Sequence, residues 1–132
     1  MRVLVDTSVW SRAFRARSGP PDPSAERLEQ VIRKSDVVLT GLILQEVLQG
    51  FRSDAVFRRV GRHLEPFALL QLDRADYVAA ADLRRSCATT GIVVSTADCQ
   101  IAAAAIRHRC ALFTLDRDFD LIARQAPLRL LA

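Results

Sequence analysis

The sequence predicts an α/β fold in which a parallel sheet is sandwiched between helices. Short apolar runs at Arg2–Val5 and at residues 37–40 and 111–114 alternate with longer stretches of helical periodicity. Such alternation implies parallel pairing through right-handed crossovers. The apolar half of the composition is Leu, Val, Ile and Ala with only 6% aromatics, which suits helices packed on a sheet. At 132 residues the chain has the length of one domain, spanning 1–132, with one hydrophobic core.

The elements follow in order. Arg2–Val5 reads as a buried strand. Asp6, Thr7 and Ser8 break it and cap a helix through about residue 16. Ser18, Gly19, Pro20, Pro21, Asp22 and Pro23 make a loop. Ser24 caps a second helix over residues 25–34, with Glu26 and Glu29 near its positive end. A strand over 37–40 leads into a helix over 41–49, ended by Gly50, and then another from Ser53 to about Leu64. Residues 67–72 form a candidate strand. Asp73 and Asp76 have capping-box spacing at the head of a long helix that Gly91 stops. Residues 92–94 are apolar but too few to assign. Ser95 caps an alanine-rich helix to about Arg109, followed by a strand at 111–114, a helix over 116–125 and a short strand at 128–131.

Charge and cysteine usage narrow the class. Lys and Arg together number 19 against 15 Asp and Glu, a net charge of +4, and Lys34 is the only lysine. A basic surface favours a polyanionic partner through phosphate contacts, although an arginine-rich genome would produce the same balance. Cys87, Cys99 and Cys110 form no CxxC pair and are odd in number, which argues against a disulfide framework. With His63 and His108 as the only imidazoles and no CxxC pair, the sequence argues against a Cys/His zinc site. The opening apolar run ends at Asp6, unlike a signal peptide, and no stretch reaches the ~18 apolar residues of a membrane span. The expectation is a reduced, soluble, cytoplasmic protein without a membrane.

Ligands in open parallel sheets bind outside the carboxyl ends of the strands, and acidic residues collect there. Asp6 follows the first strand and Asp116 follows the strand at 111–114. Either alone reads as well as a helix cap. Glu46 is more telling, because helical steps of about 100° place it beside Leu42, Ile43 and Val47 while Gln45 and Gln49 take the polar arc. A glutamate on a core-facing arc needs a partner, either an arginine or a cation. Asp98 lies on the apolar side of its helix with Ile101, Ala102 and Ala105. Its spacing from Ser95 also fits a capping box. Taken together, four carboxylates on one crevice repel each other unless neutralised. Mg²⁺ or Mn²⁺ answers that need, and two such ions would activate water and stabilise the leaving oxygen of a phosphodiester displacement. Neither Thr7 nor Ser8 has a nearby base in the sequence, and His63 and His108 have no evident partner, so no competing nucleophile assembly is expected.

The segments VLVDTSVW, TGLILQEVLQG, STADCQIAAAA and LFTLDRDFDLIA occur in the order and approximate spacing of PIN-domain ribonucleases. The chain resembles in particular the VapC-type toxins of bacterial toxin–antitoxin pairs, from end to end. The resemblance implies an acidic quartet of Asp6, Glu46, Asp98 and Asp116 that binds Mg²⁺ or Mn²⁺ and supports endonucleolytic cleavage of RNA. It also implies that Thr114 orients a ligand or water. Asp118 and Asp120 read instead as solvated acids in the first turn of the last helix. Arg12, Arg15, Arg17, Arg52 and Arg117 are candidates for gripping phosphate. The alternative within the family is a catalytically inactive PIN-like protein-binding module. A receiver-type phosphoacceptor domain is rejected, because it needs a pair of acids after the first strand and a lysine after the last.

The resemblance further implies a homodimer and a cognate antitoxin. The helices over residues 8–16 and 41–49 carry Val9, Trp10, Phe14, Leu42, Leu44 and Leu48, an apolar excess that suggests an antitoxin segment docking across them.

Overall fold

The computed structural model describes residues 1–15, 20 and 22–131. Four parallel strands, β1 (Arg2–Val5), β2 (Asp36–Leu39), β3 (Ala68–Leu69) and β4 (Ala111–Phe113), lie in the order β3-β2-β1-β4. Val3 pairs with Val37 on one side and Ala111 on the other. The chain builds outward from β1 to β2 to β3, then crosses back to place β4 on the far side of β1. The contacts of α1 (Thr7–Arg15), α2 (Pro23–Lys34), α3 (Gly41–Gln49) and α4 (Asp54–Leu64) form one group. Those of α5 (Arg74–Thr89), α6 (Thr96–Arg107) and α7 (Asp118–Ala123) form another. With right-handed crossovers, the two groups cover opposite faces of the sheet. Val3, Leu4, Val5, Ile43, Ile101 and Leu112 are fully buried between them.

Local chemistry moves several boundaries. The expected helix end at Ala16, and Ser18, Gly19 and Pro21 of the expected loop, lie outside the described residues. Asp22 rather than Ser24 caps α2: its carboxylate accepts from the Ser24 amide at 2.9 Å, and Pro23 occupies the first turn, where its missing N–H costs nothing. Thr40, expected to end the second strand, instead caps α3 by accepting from the Ile43 amide. The strand expected over 67–72 contracts to two residues at the sheet edge, and the one expected over 128–131 to a single bridge between Leu112 and Leu130.

Both long helices on the second face end in the same reciprocal pattern. After α5, the amides of Gly91 and Ile92 return to Ala88 and Cys87. After α6, those of Arg109 and Cys110 return to Ile106 and Ala105. Each pattern needs a left-handed residue, Gly91 at φ 79° and Arg109 at φ 55°. The first turn takes up the Ile92 amide, so residues 92–94 form no strand, and Val93 is 89% exposed. The second ends α6 two residues earlier than expected.

At the opposite end from Gly91, Asp73 and Asp76 form the expected capping box of α5. Asp76 also corrects an expectation, because it supplies His108 with a partner. Its Oδ1 lies 3.0 Å from His108 Nε2 and accepts from Arg107 Nε at 2.9 Å. Burial works against ionisation of this carboxyl, but the Asp73 amide, Arg107 and His108 outweigh it and hold its pKa below the usual value. The three cysteines are buried and unbridged. Among the described residues no helix is long and apolar enough to cross a membrane.

Candidate functional site

The direction of strand addition reverses between β1 and β4, so their carboxyl ends open on the crevice where an α/β sheet binds ligands. Asp6 sits there at 5% exposure, its amide bonded to Phe113 O at 2.9 Å. Its side chain is held by hydroxyls. Ser8 Oγ and Thr114 Oγ1 both donate to Asp6 Oδ2, each at 2.8 Å. The same two oxygens accept backbone amides of the β4–α7 connection, Leu115 N to Ser8 Oγ and Asp116 N to Thr114 Oγ1, both at 3.0 Å. One oxygen of Asp6 is therefore fixed from two sides. Thr114, the expected orienting residue, makes its bond to Asp6 from the neighbouring strand end.

The opposite wall comes from α6 and the start of α7. Ser95 accepts from the Asp98 amide at 3.0 Å, so Asp98 does sit at a capped helix start. Its carboxyl nevertheless belongs to the crevice. One oxygen each from Asp98, Asp116 and Asp118 lie within 4.8 Å of one another, whereas oxygens sharing one Mg²⁺ sit about 3–4 Å apart. Burial pushes the Asp98 pKa from 3.8 to about 6, helped by the negative charges of Asp116, Asp6 and Asp118 and opposed by a hydrogen bond from Ser95. A carboxyl so crowded favours either a proton or a cation. The all-carboxylate donor set suits a hard divalent ion.

The structure thus brings Asp98 and Asp116 together and sets Asp6 close enough to act on Asp98. Glu46 is not in the three-acid group. It is half-buried on α3, and its Oε1 accepts from Thr7 Oγ1 at 2.9 Å. Asp118 corrects the sequence reading: it is exposed in the first turn of α7, as expected, but its carboxylate joins the cluster. Asp116 precedes α7 rather than opening it, and its Oδ1 accepts the Asp118 amide at 2.9 Å. That turn brings the two acids side by side, and their spacing of two was the available signal.

The hydroxyls of Thr7 and Ser8 are a second correction, since both bond carboxylates after all. Among the candidate phosphate-gripping arginines, Arg12 is paired with Asp22 at 2.9 Å and Arg15 lies over the Phe51 ring. Arg52 and Arg117 are exposed, and Arg17 lies outside the described residues.

The expected apolar docking face also changes. Val9 is fully buried and Trp10 is 3% exposed, with its Nε1 donating to Val5 O at 3.1 Å. Neither is available to a partner; Leu42, Leu44, Leu48 and Phe14 remain half-buried.

Comparison with known proteins agrees with this geometry. The PIN domain family profile matches residues 3–125. Ribonuclease VapC11 from Mycobacterium tuberculosis is 36% identical over 131 residues, covering 96% of both chains. Among solved structures, VapBC2 from Rickettsia felis, bound to a DNA fragment from its promoter, superposes with a TM-score of 0.82 at 18% identity. The match covers 99% of this chain and 98% of that one. FitAcB from Neisseria gonorrhoeae superposes at 0.78 and 23% identity, over 98% and 96% of the chains. With acids gathered at the reversal point of a four-stranded parallel sheet and a family match across nearly the whole length, this chain belongs to the PIN-domain family, in its VapC group.

Proposed function

We propose that the chain, as a single domain over residues 1–132, is the toxin of a toxin–antitoxin pair and a divalent-cation-dependent endoribonuclease. The observation that carries this reading is the gathering of Asp98, Asp116 and Asp118 beside Asp6, in a relative of a named ribonuclease. Asp6, Glu46, Asp98 and Asp116 would hold Mg²⁺ or Mn²⁺, with Asp118 as a further ligand. A bound cation of this kind supplies Lewis-acid activation of water and offsets charge developing on the leaving oxygen.

The remaining work falls to the chain. Ser8 and Thr114 keep Asp6 in one orientation, which spares the site the cost of ordering a ligand at each turnover. Exposed Arg117, next to Asp116, would offer its guanidinium to a phosphate, and the net charge of +4 favours a polyanionic substrate. The partners of this reading are an RNA substrate, a cognate antitoxin and a second copy of the chain, in the cytoplasm.

The test is cleavage of total RNA by the purified protein. EDTA should abolish cleavage, Mg²⁺ or Mn²⁺ should restore it, and Asp98→Asn or Asp116→Asn should lower it by about 10²-fold or more. Undiminished cleavage in EDTA refutes the cation reading. A folded, cation-binding protein that cuts no RNA would be the inactive binding module.

A further inference from the structure

The first turn of α1 carries two neighbouring hydroxyls that serve different acids. Ser8 bonds Asp6, whereas Thr7 Oγ1 reaches across to α3 and donates to Glu46 Oε1 at 2.9 Å, 39 residues away in sequence. This turn is firmly seated. Val9 and Trp10, directly following, are buried, and Trp10 Nε1 donates to Val5 O at the end of β1. A hydroxyl on so fixed a base can hold a flexible partner. Glu46 needs one, because a half-buried glutamate keeps several rotatable bonds whose freedom a ligand role must suppress.

We propose that Thr7 is a positioning residue, whose hydroxyl fixes the Glu46 carboxylate through Oε1 and leaves Oε2 to the cation. The inference rests on the cation reading above and adds to it the residue that preorganises Glu46, the proposed ligand from α3 outside the three-acid group. Groups that orient metal ligands typically change affinity 10–100-fold when removed.

The experiment titrates the metal-free, full-length chain with Mn²⁺, read by calorimetry and by the EPR signal of the free ion. Thr7→Val keeps the branched shape and removes the hydroxyl, and should weaken Mn²⁺ binding about 10- to 100-fold. Thr7→Ser restores the hydroxyl and should bind as wild type. In a Glu46→Gln background, already weakened, Thr7→Val should add nothing further, because the two act through one bond. Unfolding midpoints in EDTA should be alike for wild type and Thr7→Val, which separates positioning from a structural role. If Thr7→Val binds Mn²⁺ as wild type while Glu46→Gln is weakened, this proposal is overturned and the cation reading stands. If Glu46→Gln also binds as wild type, Glu46 is no ligand and this proposal is overturned while the cation reading stands on the other acids; if the wild-type chain binds no Mn²⁺, both are overturned.

Discussion

Asp98 holds its proton more tightly in the folded chain than an ordinary carboxyl does, its pKa moving from 3.8 to about 6 through burial and then the charges of Asp116, Asp6 and Asp118. The folded state therefore gains from protonation of this group. The contribution is fully present below the unfolded value of 3.8 and is lost as pH rises through about 6. Metal-free protein should accordingly lose stability between about pH 4 and 6, by on the order of 1–2 kcal/mol from this residue after allowing for solvent on its open side. Asp98→Asn should flatten that slope, and urea unfolding in EDTA at several pH values measures it. An unchanged slope in the variant would place the titration on another group.

The two long helices on the second face differ at one backbone position. Gly91 closes α5 at φ 79°, the conformation glycine adopts without penalty, whereas Arg109 closes α6 at φ 55° with a side chain attached. The left-handed region costs a residue with Cβ roughly 1–2 kcal/mol. Glycine also loses more entropy on folding, so Arg109→Gly should raise stability by a net of about 0.5–1 kcal/mol. Thermal or denaturant unfolding would detect it, and a loss of stability would mean that the exposed arginine contributes contacts outweighing the backbone strain. The penalty at Arg109 is borne because the turn delivers the chain directly into β4, where Ala111, Leu112 and Phe113 are all buried.

For the whole molecule, a basic surface, an acidic crevice and membership of the VapC group together predict toxicity. Expression in bacteria without a partner should arrest growth, and Asp6→Asn should relieve the arrest while leaving a folded protein. Asp6 is the most buried acid of the crevice, and asparagine still accepts from Ser8 and Thr114. Growth curves with immunoblots of soluble protein test this, and abundant folded wild type with normal growth would count against the toxin reading. Trp10 is not a sound probe of the partner surface. It is 3% exposed and hydrogen-bonded to β1, so a charged substitution would disrupt the core before it altered docking.

Much of this was legible along the chain because it depends on local periodicity and capping. The strand at Arg2–Val5, the helix at Gly41–Gln49 and the capping box of Asp73 and Asp76 need only neighbouring residues to specify them. The delivery of Asp6 and Asp116 to one sheet edge was legible for the same reason, since strand ends carry their following residues with them. Tertiary structure decided the rest. The two-residue β3 and the single bridge at Leu130 reflect how far a neighbouring strand extends, and nothing in their own composition reveals that. Asp118 looked like a solvated helix start until the turn at Asp116 placed it against Asp98. Thr7 meets Glu46, and His108 meets Asp76, across 39 and 32 residues of sequence. Such pairings arise only when packing of separate helices brings their faces together: periodicity says which way a side chain points, whereas the partner it meets is set by the fold.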